Sequence, residues 1–363
     1  MVMTTARYIE KEALKPWLEG LAKDRCVMVP LKRDGATAFR PLGADGELDL
    51  AGLAKEPPKQ AMLPRSETLL KYRYVKNGET PRKAKIQLEE LLPTGSTLVF
   101  GARPCDVRGF TIYDRVYDAG KKRDVYYCTR REHTLIVSLA CNEPAPTCFC
   151  HRVGGAPDDE TGTDVLATDM GQGLLLEAVS DKGATFLRES DLADGADKAG
   201  EAAKIRWAVR QSMPEEPSFN EAPEHLRELF DASEFWEKQS AKCLSCGVCS
   251  YLCPTCYCFN ITDEVQGDKG VRVRTWDNCM SFQFTLEGSG HNPRSVKAQR
   301  LRNRIGHKFN YYPELHEHTL ACVGCGRCIS NCPVSMDVRS ILTAAMAQDT
   351  TGNATGKAEQ NND

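Results

Sequence analysis

The sequence contains no apolar run long enough to span a lipid bilayer, which takes about 20 consecutive, mostly apolar residues. Its N-terminal segment, residues 1–17, has a charged residue every few positions and no apolar core of the length that a signal peptide needs. These two absences argue against a membrane-spanning or secreted protein. We therefore expect a cytoplasmic protein without a membrane span.

Neither sign of charge is in large excess. The chain has 47 lysine and arginine residues against 50 aspartate and glutamate residues, a formal net charge of -3. This balance gives no global attraction to nucleic acid, which we do not expect as a partner. The sequence also has no Walker A motif, no G-x-G-x-x-G after a predicted strand and no nucleophile–base pattern. We therefore expect no flavin, nucleotide or hydrolytic site on the chain itself.

Cysteine, by contrast, is abundant, with 17 residues in a chain of 363. Disulfide frameworks belong to short secreted proteins, so reduced thiols and metal ligands are the expected use here. Two runs share one spacing, Cys243-x2-Cys246-x2-Cys249-x3-Cys253-Pro254 and Cys322-x2-Cys325-x2-Cys328-x3-Cys332-Pro333. Bacterial ferredoxins hold two [4Fe-4S] clusters with this spacing. The chain is therefore predicted to transfer electrons.

The spacing has a mechanical reason. Three cysteines in a tight turn, eased by Gly247 and Gly326, bind one cluster, and the fourth cysteine, before the proline, reaches the other cluster. The predicted ligands of the first cluster are Cys243, Cys246, Cys249 and Cys332, and those of the second are Cys322, Cys325, Cys328 and Cys253. Zinc is the alternative, because C-x2-C also suits tetrahedral zinc, but zinc sites use pairs of cysteines rather than two quartets ending in proline.

The predicted fold class is α+β, with a mixed α/β N-terminal domain before a mainly α-helical, ferredoxin-like domain. Short apolar runs bounded by turn residues are typical of buried strands, and apolar residues at helical spacing predict a helix between two of them. A strand, a helix and a strand in this order indicate a parallel βαβ unit. The predicted strands are 26–30, 96–102 and 134–140, with a hairpin of 165–170 and 174–180, and the predicted helices are 7–22, 104–117, 198–213 and 222–240.

We expect the domain boundary near residue 235. This division gives a mixed α/β domain over 1–235, a two-cluster domain over 236–347 and a polar, disordered tail over 348–363. The two-cluster domain carries an insertion between its cysteine runs that a minimal ferredoxin does not need. A basic stretch in it, residues 295–309, is interpreted as a solvated helix face, as a dock for an acidic partner, or as a tuner of cluster potential.

Four further cysteines are predicted to meet at one edge of the N-terminal sheet. Cys105 and Cys141 each follow a predicted strand, and adjacent parallel strands end at the same edge, so their side chains should lie close together. The loop after Cys141 can bring Cys148 and Cys150 back to them. Four thiols in one place predict a third iron-sulfur cluster, with zinc or ordinary buried thiols as alternatives. Asp106 is a candidate oxygen ligand or hydrogen-bond partner there.

The other five cysteines have less specific interpretations. Cys256, Cys258 and Cys279 are close in sequence to the first run. They could replace a cluster ligand, form a redox-active thiol pair or pack around the cluster. Cys26 and Cys128 are interpreted as small buried hydrophobic residues without a further role.

Several segments carry a family resemblance: FGARPCDVRGF, CNEPAPTCFC, CLSCGVCSYLCPTCYCFNITDE, TWDNC, HKFNYYPE and CVGCGRCISNCPV. Through them the chain resembles the iron-sulfur beta subunit of soluble NAD(P)-linked sulfhydrogenases and the A subunit of anaerobic sulfite reductase. It is also similar to the iron-sulfur subunit of flavin oxidoreductase complexes that feed heterodisulfide-reductase-type proteins. The stretch GSGHN departs from these relatives, which often have paired glycines.

The resemblance implies an electron-transfer subunit that is not itself catalytic. It would relay electrons between a flavin- and NAD(P)-binding diaphorase subunit and a catalytic subunit of an anaerobic oxidoreductase. The terminal acceptor, whether hydrogen, sulfite, heterodisulfide or another compound, would be a property of the other subunits. One alternative is an iron-sulfur subunit that itself reduces a disulfide or sulfur compound, at the surplus thiols or the N-terminal cluster. A zinc-binding interaction scaffold is the other.

Overall fold

The computed structural model describes residues 5–75 and 85–348 of the chain. The strands are β1 (Ala6–Glu10), β2 (Cys26–Arg33), β3 (Ala36–Pro41), β4 (Glu47–Leu48), β5 (Ser66–Val75), β6 (Lys85–Glu90), β7 (Thr97–Ala102), β8 (Asp118–Ala119), β9 (Lys122–Arg123), β10 (Thr134–Leu139), β11 (Val165–Asp169), β12 (Gly173–Ala178), β13 (Ala193–Asp194), β14 (Phe259–Gln266) and β15 (Lys269–Trp276). The helices are α1 (Lys11–Leu21), α2 (Pro104–Tyr117), α3 (Val125–Glu132), α4 (Asp181–Glu189), α5 (Ala199–Ser212), α6 (Ala222–Glu228), α7 (Ser233–Ser240), α8 (Val248–Tyr251), α9 (Lys297–Gly306), α10 (Tyr312–Leu315), α11 (Arg327–Ser330) and α12 (Val338–Met346), and a π-helical turn, His307–Tyr311, continues α9.

The larger sheet of the described residues has nine strands in the order β13–β1–β12–β11–β10–β7–β2–β3, with β4 beside β2. Strands β7 and β10 are parallel neighbours, and α2 and α3 lie between them in the chain. The predicted βαβ unit is therefore confirmed. The predicted hairpin is present as well, because β11 and β12 pair in antiparallel fashion.

Successive side chains of the central strands enter two cores, one on each face of this sheet. Leu98 packs with Leu18 of α1 in one core, whereas Val99 packs with Phe110 and Tyr113 of α2 in the other. Each large apolar side chain buried in this way stabilises the fold by about 1.5–3 kcal/mol. The two packed faces hold the ends of β7 and β10 in a fixed position.

The predicted helix over 7–22 is wrong at its start. Residues 6–10 form β1, which pairs with β12 so that Ile9 lies opposite Leu174, and the helix begins only at Lys11. The buried residues of β1 are Ala6 and Ile9, which are three positions apart, and this spacing also occurs on a helix face. The pattern alone was therefore ambiguous, and pairing with a neighbouring strand decides it.

The predicted helical stretch over 222–240 is divided into two helices. Helix α6 ends at Glu228 and α7 begins at Ser233. The Trp236 indole N–H donates to the carbonyl oxygen of Leu229 at 2.8 Å, which satisfies one of the acceptors left free at the end of α6. The break lets both helices pack their apolar sides against α9 and α12, in the core on which the cysteine runs rest.

A second sheet of the described residues is antiparallel, in the order β14–β15–β5–β6. The predicted mainly α-helical C-terminal domain therefore also contains a β-hairpin, which lies in the insertion between the cysteine runs. This sheet draws strands from both sides of residue 235. Arg274 of β15 and Glu67 of β5 are both buried and form an ion pair at 2.7 Å, which fixes the pairing of the two parts.

Among residues 5–75 and 85–348, no helix has the length and apolar composition needed to cross a bilayer. The predicted helix over 198–213 is confirmed as α5. The predicted disordered tail, apart from Gln348, lies outside the described residues.

Candidate metal centres

The two cysteine runs fold in the same way. Ser245 and Gly324, each before the second cysteine of a run, have φ angles of 56° and 64°, and Gly247 and Gly326, each after it, have φ angles of 77° and 72°. The short helices α8 and α11 follow these glycines. Left-handed backbone at both positions turns the chain tightly, so that the first three cysteines of each run line one cavity.

Site A is the first of three cysteine-lined cavities, and its four predicted ligands are Cys243, Cys246, Cys249 and Cys332. The backbone N–H of Ser245 donates to Cys243 Sγ at 3.4 Å, and that of Met336 donates to Cys332 Sγ at 3.3 Å. Such donors stabilise a thiolate. Cys246 is exposed, so site A reaches the surface.

Site B is the second cavity, and its four predicted ligands are Cys253, Cys322, Cys325 and Cys328. Burial raises the pKa of Cys328 to about 12 and also raises the pKa of Cys322. Iron binds the thiolate, so loading of these buried thiols must release their protons. Cys253 differs, because the hydrogen bond from the Cys256 thiol and the nearby Lys308 ammonium lower its pKa.

Site C is the third cavity, and its four predicted ligands are Cys105, Cys141, Cys148 and Cys150. Cys105 lies at the start of α2 directly after β7, and Cys141 directly after β10, at the edge where these parallel strands end. The structure therefore brings together the four side chains that strand order and loop length predicted. Burial raises the pKa of Cys141 to about 11 and that of Cys150 to about 12.

The three sites lie in a row with site B in the middle. Gly324 and Cys325 line both site C and site B, whereas Arg304 and Cys328 line both site B and site A. The backbone N–H of Phe149 donates to the Gly324 carbonyl oxygen at 2.8 Å, so the loop of site C lies directly on the second cysteine run. Val338 of α12 also lines both site A and site B, so the walls shared between neighbouring sites consist of residues of the runs, of α9 and of α12.

The basic stretch after residue 295 contributes to these walls. Arg300, Arg304 and Lys308 are only 8%, 5% and 5% exposed, so the interpretation as a solvated helix face is wrong for them. Arg304 Nη2 donates to the carbonyl oxygen of Cys249 at 3.1 Å. These three residues are four positions apart in the sequence, and this spacing places them on one side of a helix. The spacing alone does not indicate whether that side is buried or exposed.

Asp106, predicted as an oxygen ligand or hydrogen-bond partner at site C, does not line that cavity and pairs with Arg327 instead. Its carboxylate accepts hydrogen bonds from Arg327 Nη1 at 2.5 Å and Nη2 at 3.0 Å, and one from the backbone N–H of Arg103 at 3.3 Å. Asp106 is 0% exposed and Arg327 is 1% exposed. Both carboxylate oxygens are therefore engaged, and the pair joins the start of α2 to the second cysteine run.

The surplus thiols near the first run affect the ionisation of their neighbours. The Cys256 thiol lowers the pKa of Cys253, and the Cys258 thiol lowers the pKa of Cys279. Cys279 is only 5% exposed. Close by, Lys59 Nζ donates to the carbonyl oxygens of Tyr251 and Cys256. None of the three surplus cysteines lines the described cavities of sites A, B and C.

The two remaining cysteines differ from each other. Cys128 of α3 is 7% exposed and packs in the core below α2, as predicted. Cys26 is exposed, so its interpretation as a buried residue is wrong. It is the first residue of β2, where the strand emerges from the sheet, and burial begins with Val27.

Gly324 offers a direct test of the contact between sites B and C. Gly324→Ala would force a side chain into left-handed backbone, which costs about 1–2 kcal/mol. Its Cβ would also lie 2.5 Å from the backbone N of Cys150 and 2.5 Å from the carbonyl carbon of Phe149. We expect a lower free energy of unfolding, measured anaerobically with denaturant, and less iron per chain. Gly200→Ala, where a Cβ meets nothing within 4 Å, should cause neither change.

The donor sets fit iron-sulfur clusters. Four thiols around one cavity are the usual ligands of a [4Fe-4S] cluster, and the first two sites combine this set with the ferredoxin spacing. In the part of the chain that the structure describes, no group of three or more His, Cys, Asp or Glu side chains is arranged to hold a single metal ion. The fold and these sites define the class of dicluster iron-sulfur proteins.

Comparison with known proteins identifies the family. Residues 242–336 match the family described as 4Fe-4S dicluster domain. The chain is 32% identical over 274 residues to the sulfhydrogenase 2 subunit beta of Pyrococcus furiosus, an alignment that covers 72% of this chain and 79% of that protein. No solved structure matches the chain. The chain belongs to the family of iron-sulfur beta subunits of sulfhydrogenases, as the resemblance predicted. It is an iron-sulfur protein of electron transport.

Proposed function

We propose that this chain relays electrons between a flavin- and NAD(P)-binding partner subunit and a catalytic subunit of a cytoplasmic oxidoreductase complex. The observation that carries the proposal is the row of sites C, B and A, in which each neighbouring pair shares a wall. Three redox centres in such a row suit the passage of electrons between two partner subunits, one at each end. The name of the relative, a subunit of a sulfhydrogenase, supports work within a complex.

The proposed ligands are the four cysteines of each site, and the clusters would supply one-electron storage and transfer when bound. The chain's own residues hold and insulate them. Backbone N–H groups such as that of Ser245 donate to ligand sulfur atoms, and the apolar side chains of Leu301 and Ile341 exclude water from site A. The exposed Cys246 marks the end of the row at which a partner can approach site A.

The third cluster is tested by Cys141→Ser. Serine lacks the soft thiolate that iron prefers, so we expect the iron content to fall from about 12 to about 8 atoms per chain while sites A and B keep theirs. Anaerobic iron and acid-labile sulfide analysis with low-temperature EPR measures this change. Cys128→Ser, which removes a buried thiol outside the sites, is the matched control. Equal iron in wild type and Cys141→Ser would contradict a cluster at site C.

The relay itself is tested with the partners present. The tagged chain, isolated anaerobically from its native host, should copurify with a flavoprotein, and NAD(P)H should reduce its clusters only when that flavoprotein is present. Spectra of the isolated chain and of the complex, each mixed with NAD(P)H, make the comparison. Reduction of the isolated chain by NAD(P)H alone would contradict the proposal that a separate flavoprotein passes the electrons to it.

A further inference from the structure

Three cations lie buried between the cysteines. Lys59, Arg304 and Lys308 are 3%, 5% and 5% exposed. Among the described residues their hydrogen-bond acceptors are carbonyl oxygens, a hydroxyl and a thiol, without any carboxylate. A buried charge is costly unless an opposite charge compensates it. The anionic groups near enough to do so are the cysteine sulfur atoms.

Lys308 has the most direct contact of the three. Its Nζ lies 3.4 Å from Cys253 Sγ, 2.7 Å from Thr255 Oγ1 and 3.1 Å from the carbonyl oxygen of Ala321. It also lines site B itself. The backbone holds this position, because the N–H of Ala321 donates to the carbonyl oxygen of Lys308 at 2.9 Å.

The π-helical turn explains how the lysine reaches the site. Residues 307–311 continue α9 with a wider turn, and such turns recur at functional sites. His307 is anchored by Tyr257, whose hydroxyl lies 3.0 Å from its Nε2. Lys308 is therefore held by its anchored neighbour His307, by the backbone hydrogen bond from Ala321 and by three hydrogen bonds of its own Nζ.

We propose that Lys308 is a positioning residue whose positive charge, held beside the ligand Cys253 by a hydrogen bond, raises the reduction potential of the site B cluster. This inference rests on the proposed function, since it assumes a cluster at site B. A fixed positive charge stabilises the more negative, reduced form of a cluster, and it acts strongly where water is excluded. The charge of Lys308 thus favours the reduced state of the middle site of the row.

Replacement of Lys308 by methionine tests the proposal. An EPR-monitored redox titration of the full-length, cluster-loaded protein should show one midpoint potential falling while the others stay. We expect at least a tenfold lower ratio of reduced to oxidised site B cluster at a given solution potential, which is about 59 mV for a one-electron centre. Lys308→Arg keeps the charge and should retain the wild-type potential.

The matched control is Lys182→Met. Lys182 Nζ also donates to two backbone carbonyls, those of Glu132 and Thr134, but it contacts none of the cysteines. If Lys308→Met fails to accumulate with its iron, Lys308→Gln, which loses the charge but keeps a donor, takes its place. Unchanged midpoint potentials in an uncharged Lys308 variant that carries all its iron would overturn the role of Lys308. The proposed function of the chain as an electron relay would not be affected by that result. Wild-type protein without a reducible cluster would instead overturn the proposed function.

Discussion

Cys325→Ser should remove the site B cluster and lower the iron content by at least about four atoms per chain. Cys325 is 7% exposed and lines site B together with the other three predicted ligands. A serine hydroxyl at this buried position neither ionises readily nor matches the softness of a thiolate. Iron and acid-labile sulfide analysis of anaerobically purified protein measures the loss, and far-UV circular dichroism checks that the N-terminal sheet is retained.

Cys325→Ser should also lower the iron content of the neighbouring site C. Cys325 also lines site C, and its carbonyl oxygen lies 3.8 Å from the Sγ of Cys148, a predicted ligand of that site. We therefore expect Cys325→Ser to lose more iron than Cys246→Ser, which removes a ligand at the exposed end of site A. Cys26→Ser, at an exposed thiol outside all three sites, is the control and should keep its full complement. Iron contents that remain unchanged in both ligand variants would contradict the assignment of the two sites.

The grouping of the cysteines could be predicted because it depends on local geometry and on simple strand order. Spacing within each run determines which three thiols share a loop, and left-handed Gly247 and Gly326 then turn the chain as expected. The meeting of Cys105 and Cys141 follows from two parallel strands that end at one edge. Both arguments need only short segments and one topological rule.

The burial of charged side chains could not be predicted, because their partners are distant in the chain. Arg274 and Glu67, which join the two parts of the second sheet, are 207 positions apart. Lys308 looks like any basic helix residue until the fold buries it against Cys253. Burial of a charged residue is decided by tertiary packing, and neither composition nor helical period carries that information.

The ion pair between Arg327 and Asp106 predicts the largest effect on stability. The two side chains are 1% and 0% exposed, and the guanidinium also donates from Nε to the carbonyl oxygen of Ala54 at 2.7 Å. Arg327→Met would leave the Asp106 carboxylate buried without its partner. We expect the free energy of unfolding to fall by about 3–5 kcal/mol, because an uncompensated buried charge costs that much. Anaerobic denaturant unfolding measures the change.

Two further variants separate the ion pair from simple loss of side-chain contacts. In the double variant Asp106→Leu with Arg327→Met the orphaned charge is gone, so most of the lost stability should return. Arg33→Met, at an exposed ion pair with Asp45, should cost less than about 1 kcal/mol. A double variant as unstable as Arg327→Met would mean that side-chain packing, and not charge, joins the start of α2 to the second cysteine run.

Loss of the ion pair should also affect the iron content. Arg327 directly follows Gly326, the glycine that turns the second run, so we expect sites B and C to lose iron before site A does.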